Sequence, residues 1–144
     1  MSFSIEPATP ADLPAILDLL ASHRLPEAEV GQHIGTALVA REGGRVAGCA
    51  VVEPYSTAGL LRSVAVAQSL RGLGLGISLT EAAVELARSR GIQALYLLTE
   101  TAADFFPRFG FRPVTRDKVA PAVRQSIEFT EACPASAVAM VKDL

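Results

Sequence analysis

A run of alternating glycines, Arg71-Gly72-Leu73-Gly74-Leu75-Gly76, lies between a predicted strand and a predicted helix. Glycine has no Cβ atom, so such a loop can adopt unusual φ angles and bring backbone N–H groups close to a ligand. The positive end of the helix dipole adds to the attraction for an anion, and Arg71 can add a charge-assisted contact. The run predicts a binding loop for phosphate or diphosphate oxygens. A tight turn whose glycines serve only packing is the alternative.

Two common phosphate-binding motifs do not fit this loop. A Walker loop needs Gly-Lys-Ser/Thr, whereas the only lysines are Lys118 and Lys142. A dinucleotide fingerprint needs a third glycine where the chain has Ile77 or Leu79, depending on where counting starts. Glu100, just after the next predicted strand, could imitate the ribose-binding acid, so a nicotinamide oxidoreductase stays a weaker alternative.

The elements around the loop predict an α/β fold. A strand at residues 60–66, an apolar helix ending at Arg90 and a strand at residues 94–98 form a βαβ unit with parallel strands and a right-handed crossover. The other predicted elements are a strand at 3–5, a helix opening at Thr9-Pro10-Ala11-Asp12, short helices at 27–34 and 102–109, hairpin strands at 37–41 and 46–52 around Glu42-Gly43-Gly44-Arg45, a strand at 111–115, a helix at 121–131 and a strand at 137–142.

Composition narrows the class of protein. The 144 residues fit one domain, 1–144; half of them are apolar and the net charge is −2. Without a basic excess, nucleic acid and anionic membranes are disfavoured as partners, and no apolar run reaches the ~18–20 residues of a membrane span. The N-terminus lacks a secretory pattern, which favours a cytoplasmic protein. Cys49, Cys133, His23 and His33 do not have the number or spacing of a metal site.

Several stretches resemble the GNAT N-acetyltransferase family. The spacing Arg71-x-x-Gly74-x-Gly76 is similar to its acyl-CoA diphosphate loop, and Ser63-Val64-Ala65-Val66 to its pantetheine-binding strand. The run from Ala102 to Phe111 resembles its later A-x-x-F-Y-x-x-x-G-F stretch, and the run from Glu6 to Leu13 resembles its usual start. The resemblance implies an α/β (α+β) GNAT fold, with a mixed sheet of about six to seven strands, a splayed parallel pair and helices on both faces.

Two shorter stretches resemble narrower groups of GNAT proteins. Leu97-Leu98-Thr99-Glu100-Thr101-Ala102 with Phe105-Phe106 is similar to amino-acid N-acetyltransferases. The tail, with Glu128-Phe129, Cys133-Pro134-Ala135-Ser136-Ala137 and Met140, is similar to small members linked to arsenic resistance. The resemblance implies acetyl transfer from acetyl-CoA, without a metal, to the amine of a small molecule such as an amino acid or a toxic analogue, by direct attack in a ternary complex. It also allows a homodimer.

The resemblance further implies where acetyl-CoA binds. Backbone groups of Val64 and Val66 would pair with the pantetheine arm like an added strand, and a backbone N–H near Val66 would stabilise the oxyanion. The implied cofactor-binding residues are Val64, Ala65, Val66, Arg71, Gly72, Leu73, Gly74, Leu75, Gly76, Thr99 and Phe106.

Phe106 departs from the family pattern, because a tyrosine usually stands there to protonate the leaving thiolate. Another group then donates the proton, or the thiolate leaves with solvent help, or acetyl transfer is absent. The last case makes the chain a non-catalytic acyl-CoA sensor or regulatory domain. Of the two tyrosines, Tyr96 is expected to pack in the core and Tyr55 to be exposed in a loop.

Carboxylates near strand ends are candidates for the catalytic base. Glu100 is the first choice because it follows the C-terminal end of a central strand, and Glu53 is the second. The alternative for Glu100 is a surface carboxylate without a catalytic role. Arg62, inside an apolar strand, needs an anionic partner: a substrate carboxylate, or a bridge to Glu53 or Glu100.

The predicted late helix carries one more candidate pair. Arg124 and Glu128 are four residues apart, so they could form a surface pair or line the acceptor site.

Overall fold

The protein, described by a computed structural model over residues 3–132 and 136–144, is built on a mixed seven-stranded sheet with strand order β1-β2-β3-β4-β5-β7-β6. The strands are β1 (Ser4–Pro7), β2 (Ala37–Glu42), β3 (Arg45–Tyr55), β4 (Ala58–Val66), β5 (Ala94–Thr99), β6 (Arg112–Val114) and β7 (Val138–Asp143). The α-helices are α1 (Leu13–Ser22) and α2 (Leu75–Ser89). Strands β4 and β5 are parallel and the other pairs are antiparallel. The predicted α/β class and the parallel βαβ unit are confirmed.

The two α-helices cover opposite faces of the sheet. Neighbouring residues of a strand point to opposite faces, so Val39 and Leu38 of β2 belong to different clusters. Ile16 of α1 packs in the cluster that contains Val39, and Leu79 of α2 packs in the cluster that contains Leu38. This arrangement leaves the central strands buried on both sides.

Two local predictions are confirmed at the start of the chain and in the hairpin. The Thr9 backbone N–H and hydroxyl both donate to the Asp12 carboxylate, at 2.8 and 3.1 Å, where a 3-10 turn leads into α1. Gly43 and Gly44 have φ angles of +56° and +81° at the tip of the β2–β3 hairpin, as a tight turn of this type requires.

The two predicted short helices, 27–34 and 102–109, are 3-10 helices with different bounds, and the predicted late helix at 121–131 is wrong because the segment is broken into two turns. The chain has 3-10 helices at Val30–Thr36, Phe106–Phe109 and Val123–Gln125, the last followed by a π-turn at Glu128–Ala132. In the late segment, Ser126 adopts an extended conformation with φ −58° and ψ 145°, and its hydroxyl donates to the buried Glu53 carboxylate at 2.6 Å. That contact interrupts the predicted helix, so Arg124 and Glu128 do not share a helix face.

Strands β4 and β5 separate soon after they meet. Their pairing covers only Ala58–Leu60 of β4 against Ala94–Tyr96 of β5. On its other edge β4 carries a β-bulge, because the register with β3 shifts between Cys49 and Val51, and Ser63 has a φ of +59°. The splayed parallel pair is therefore confirmed, and it opens a gap inside the sheet.

Candidate acyl-CoA site

A cleft of about 1120 Å³ lies between β4 and β5, where the two strands diverge. Its walls come from β4, the glycine loop and the segment that follows β5. The predicted site residues that line it are Arg62, Val64, Ala65, Val66, Arg71, Gly72, Gly74, Leu75, Gly76, Thr99, Glu100, Phe106 and Glu128. Glu53, Leu73 and Arg124 are not among its lining residues.

The glycine loop adopts a backbone that other residues rarely adopt. Gly72 has a φ of +85°, and Gly74, the N-cap of α2, has a φ of +78°. No atom lies within 4 Å of a Cβ built at either position, so the backbone angle and not crowding requires glycine there. The first amides of α2 lack acceptors within the helix, which makes this end of the cleft suited to diphosphate oxygens. Leu73, between the glycines, is 55% exposed.

Phe106 forms part of the cleft wall and part of the core. It is 6% exposed and makes edge-to-face contacts with Phe105 and Phe111, at centroid distances of 5.1 and 5.8 Å. The Phe105 ring lies 3.7 Å from the position of a Cβ on Gly76, so the aromatic cluster reaches the glycine loop. The cluster supplies shape to the cleft, and Phe106 supplies no ionisable group.

A buried polar cluster lies behind β4 and centres on Glu53. The Tyr55 hydroxyl and the Ser126 hydroxyl donate to its Oε1 at 2.5 and 2.6 Å, and Arg62 Nη1 donates to its Oε2 at 2.9 Å. His33 Nε2 lies 3.8 Å from the same Oε2. Burial alone would raise the pKa of Glu53, but the hydrogen bonds from Ser126, Tyr55 and Arg62 outweigh it and lower the pKa. Burial, with the bond to Glu53, raises the pKa of Tyr55 to about 12.

This geometry argues against a catalytic base at Glu53, because its carboxylate is held as an anion, 1% exposed, and committed to three donors. Tyr55 is half-buried at the end of β3 and hydrogen-bonded, not exposed in a loop as expected.

The Arg62 guanidinium is fully buried and held by several acceptors. Besides Glu53, it donates to the backbone oxygens of Ala28 and Pro26, at 2.9 and 3.2 Å, and to the Ser63 hydroxyl at 3.0 Å. Its Nε also lies 3.8 Å from Glu128 Oε1. Of the partners considered from the sequence, the structure shows the bridge to Glu53, which leaves a substrate carboxylate little access.

Glu100 lies where the sequence predicts, one residue beyond β5, exposed and on the cleft wall. Thr99 Oγ1 accepts the Ala102 N–H at 2.9 Å and so stabilises the turn that presents Glu100. Asp104 is a second exposed carboxylate on the same wall. Tyr96 is half-buried and packs against a third apolar cluster, as expected.

Residues 31–113 match the family model described as the acetyltransferase (GNAT) domain. The chain belongs to the GNAT acetyltransferase family. This GNAT domain is 38% identical over 93 residues to the amino-acid acetyltransferase of Pseudomonas aeruginosa, a match over 63% of this chain and 21% of that protein. The chain thus spans about a fifth of the length of the curated relatives it matches first.

Two solved structures share the fold of this GNAT domain. Rv2747 from Mycobacterium tuberculosis, in complex with CoA and NLQ, has a TM-score of 0.83 at 23% identity, over 98% of this chain and 99% of that chain. N-acetylglutamate synthase from Neisseria gonorrhoeae, complexed with coenzyme A and N-acetyl-glutamate, has a TM-score of 0.84 at 22% identity, over 100% of this chain and 35% of that chain.

Among the cleft-lining residues that sequence reasoning missed is His23. Its Nε2 lies 2.7 Å from the Val66 carbonyl oxygen and its Nδ1 lies 2.9 Å from Arg71 Nη2. Val66 and Arg71 are 43 and 48 positions away from His23 along the chain. No local pattern could therefore have indicated the contact.

The cysteines and histidines give no sign of a metal centre. Across residues 3–132 and 136–144, no group of three or more His, Cys, Asp or Glu side chains could hold a metal ion. Cys49 is fully buried, its thiol donates to the Ser63 carbonyl oxygen at 3.2 Å, and burial raises its pKa to about 12. Cys133 lies outside the described residues.

In residues 3–132 and 136–144, no helix has the length and apolar character needed to cross a membrane.

Proposed function

We propose that this GNAT domain transfers an acetyl group from acetyl-CoA to the amine of a small molecule, with amino acids and their toxic analogues as the acceptor class. The observation that carries the proposal is the cleft between β4 and β5, whose mouth is the glycine loop with Gly72 and Gly74 at positive φ. The similarity to amino-acid acetyltransferases supports the acceptor class.

The residues on the cleft wall fit the parts of acetyl-CoA. The flank of β4 at Val64 and Val66 has no strand partner on the β5 side. The Val66 carbonyl oxygen is bound to His23, so the Val64 backbone and the Val66 N–H are the groups left to pair with the pantetheine arm. Arg71 and the loop amides can hold the diphosphate, while Thr99 and Phe106 shape the opposite wall. Acetyl-CoA supplies an activated acetyl group.

The chain's own groups then have two tasks. Glu100 accepts the proton of the acceptor ammonium so that a neutral amine can attack. A backbone N–H near Val66 donates to the developing oxyanion; the Ala67 N–H is already bound to Ala47 O at 2.8 Å, so the donor is on another residue. Because Phe106 has no hydroxyl, the leaving thiolate takes its proton from solvent.

We place the acceptor site beside Glu100 and Glu128, two carboxylates that line the cleft. Glu128 is 5% exposed and lines the cleft near Arg62, so we assign it to acceptor binding. Arg62 acts through Glu53 and Glu128 as a structural support. Arg124 is exposed and is not among the cleft-lining residues, so the structure gives no support to its predicted acceptor role.

Calorimetry with CoA, followed by a thiol-release assay with acetyl-CoA and a panel of amino acids, phosphinic and arsenical analogues and polyamines, tests the proposal. We expect CoA binding and thiol release that depends on an added amine. CoA binding without turnover over the panel would instead favour the acyl-CoA sensor, which the missing hydroxyl at Phe106 also favours. No CoA binding would contradict both functions.

A matched pair of glycine variants tests the loop itself. We expect Gly74→Val to weaken CoA binding by about 10- to 100-fold, since a β-branched residue resists a φ of +78° and the loop amides would turn away from the diphosphate. Gly44→Val is the control, because Gly44 has a φ of +81° and equally open surroundings but lies at the hairpin tip. Equal loss of CoA affinity in both variants, measured by calorimetry, would contradict a direct role of the loop.

Other predictions from the sequence remain predictions. The resemblance of the tail to arsenic-resistance members involves residues 133–135, which lie outside the described residues. A cytoplasmic location, the absence of nucleic-acid and membrane partners, and a homodimer likewise await direct measurement.

A further inference from the structure

We infer that His23 is a positioning residue for the cofactor, holding Arg71 at the mouth of the cleft where the CoA diphosphate would bind. The inference rests on the proposed function, because it assigns a task within the acyl-CoA site. His23 lines this cleft together with Arg71 and Val66, although it is the C-cap of α1 and precedes them by 48 and 43 positions in the chain.

The turn that ends α1 fixes the position of His23. His23 is the C-cap of the helix, and the next two residues close the turn: the Arg24 N–H donates to Ala21 O at 3.1 Å, and the Leu25 N–H donates to Leu20 O at 2.9 Å. Arg24 takes the left-handed conformation, with a φ of +56°, that such a turn requires. The imidazole is therefore presented from a defined backbone and not from a loose loop.

The partners of the imidazole determine its tautomer. The Val66 carbonyl oxygen can only accept, so Nε2 carries the hydrogen and donates across 2.7 Å. In the neutral ring Nδ1 then has a free lone pair, and it accepts an N–H from Arg71 Nη2 across 2.9 Å. One side chain thus links the end of β4 to the first residue of the glycine loop.

This link prepares Arg71 for an anion. Arg71 is exposed, and a free arginine side chain loses considerable rotamer freedom when a ligand fixes it. The contact with His23 restricts that freedom before the ligand arrives and uses one N–H, so other guanidinium N–H groups stay available to the diphosphate. We therefore expect His23 to act mainly on the affinity for CoA, through Arg71.

A double-mutant cycle tests this coupling on the full chain. The dissociation constant of CoA is measured by calorimetry for the wild type, His23→Leu, Arg71→Ala and the double variant. We expect His23→Leu to weaken binding about three- to tenfold, and to have almost no effect once Arg71 is Ala. In the thiol-release assay the KM for acetyl-CoA should rise by a similar factor, and kcat should change by less than KM does.

His23→Gln is the rescue variant, because its amide can donate to the Val66 oxygen and accept from Arg71, and we expect it to keep near wild-type affinity. An equal loss from His23→Leu in both Arg71 backgrounds would mean that His23 acts on β4 alone and would overturn the inference. The inference would also be overturned if the wild type binds CoA and His23→Leu binds it with the same affinity. A wild type that does not bind CoA would instead contradict the proposed function. If His23→Leu fails to fold, His23→Ala takes its place in the cycle.

Discussion

An Arg62→Met variant is expected to have a free energy of unfolding about 3–5 kcal/mol lower than the wild type at neutral pH. The substitution removes the guanidinium from a position that is fully buried and leaves the Glu53 carboxylate, 1% exposed, without its positive partner. Bonds from the uncharged Tyr55 and Ser126 hydroxyls remain, and His33 Nε2 stays 3.8 Å from the carboxylate, beyond hydrogen-bond distance. Urea denaturation followed by circular dichroism measures the difference.

The pH dependence of this loss identifies its cause. In the wild type the pKa of Glu53 lies below its ordinary value of 4.5, so its contribution to stability is present above that value and is lost as the pH falls through the lowered pKa. Without Arg62, fewer hydrogen bonds oppose the effect of burial, so the pKa of Glu53 rises. In acid the carboxyl group of the variant is then protonated, and the cost of a buried, unpaired charge disappears. The gap in stability between the two proteins should therefore narrow as the pH is lowered.

Arg88→Met is the control, because Arg88 pairs with Glu85 on the exposed surface of α2. Exposed pairs of this kind contribute about 0–1 kcal/mol, so this variant should stay close to the wild type at every pH. Arg62 would have no special structural role if both variants lost the same small amount of stability.

A Glu100→Gln variant is expected to lower kcat/KM for the acceptor by about 100- to 1000-fold, since the amide cannot take a proton from the acceptor ammonium. The affinity for CoA should not change. The defect should shrink as the assay pH approaches the pKa of the acceptor amine, because the amine then loses its proton to solvent. Thiol-release rates across pH, with acetyl-CoA saturating, measure both effects.

Asp104→Asn is the matched control for Glu100→Gln. Asp104 is also an exposed carboxylate on the cleft wall, so its replacement makes the same change in net charge near the cofactor. If the two variants lose activity equally, the effect is a general one of charge, and the base would have to be sought elsewhere.

Local features of this chain could be predicted from sequence because their cause is local. Three such features depend on residue types within a few positions of one another. They are the positive φ angles of Gly43 and Gly44, the capping contacts between Thr9 and Asp12, and the glycine loop. The splay of β4 and β5 came from the family resemblance, since no single residue indicates where two parallel strands stop pairing.

Features that depend on distant partners were partly or wholly missed. Ser126 leaves helical geometry because its hydroxyl donates to Glu53, a residue 73 positions away, and no helix propensity includes that contact. Arg62 was recognised as needing an anionic partner, because an arginine in an apolar strand is costly to bury unpaired. The same reasoning did not reach Tyr55 or His23, since both residues are common on exposed surfaces.

The divergence of β4 and β5 also bears on the protein's tendency to self-associate. Beyond Leu60 and Tyr96 each strand has one edge with no partner strand. The unpaired backbone groups of such an edge can form hydrogen bonds with another chain and so favour aggregation. Here the two unpaired edges face one another within the sheet and meet where β4 and β5 pair. On their other edges β4 pairs with β3, and β5 pairs with β7. An extended small molecule can enter the gap between β4 and β5 from its open end, whereas a second copy of the chain would have to add a strand at β1 or β6, the outer edges of the sheet.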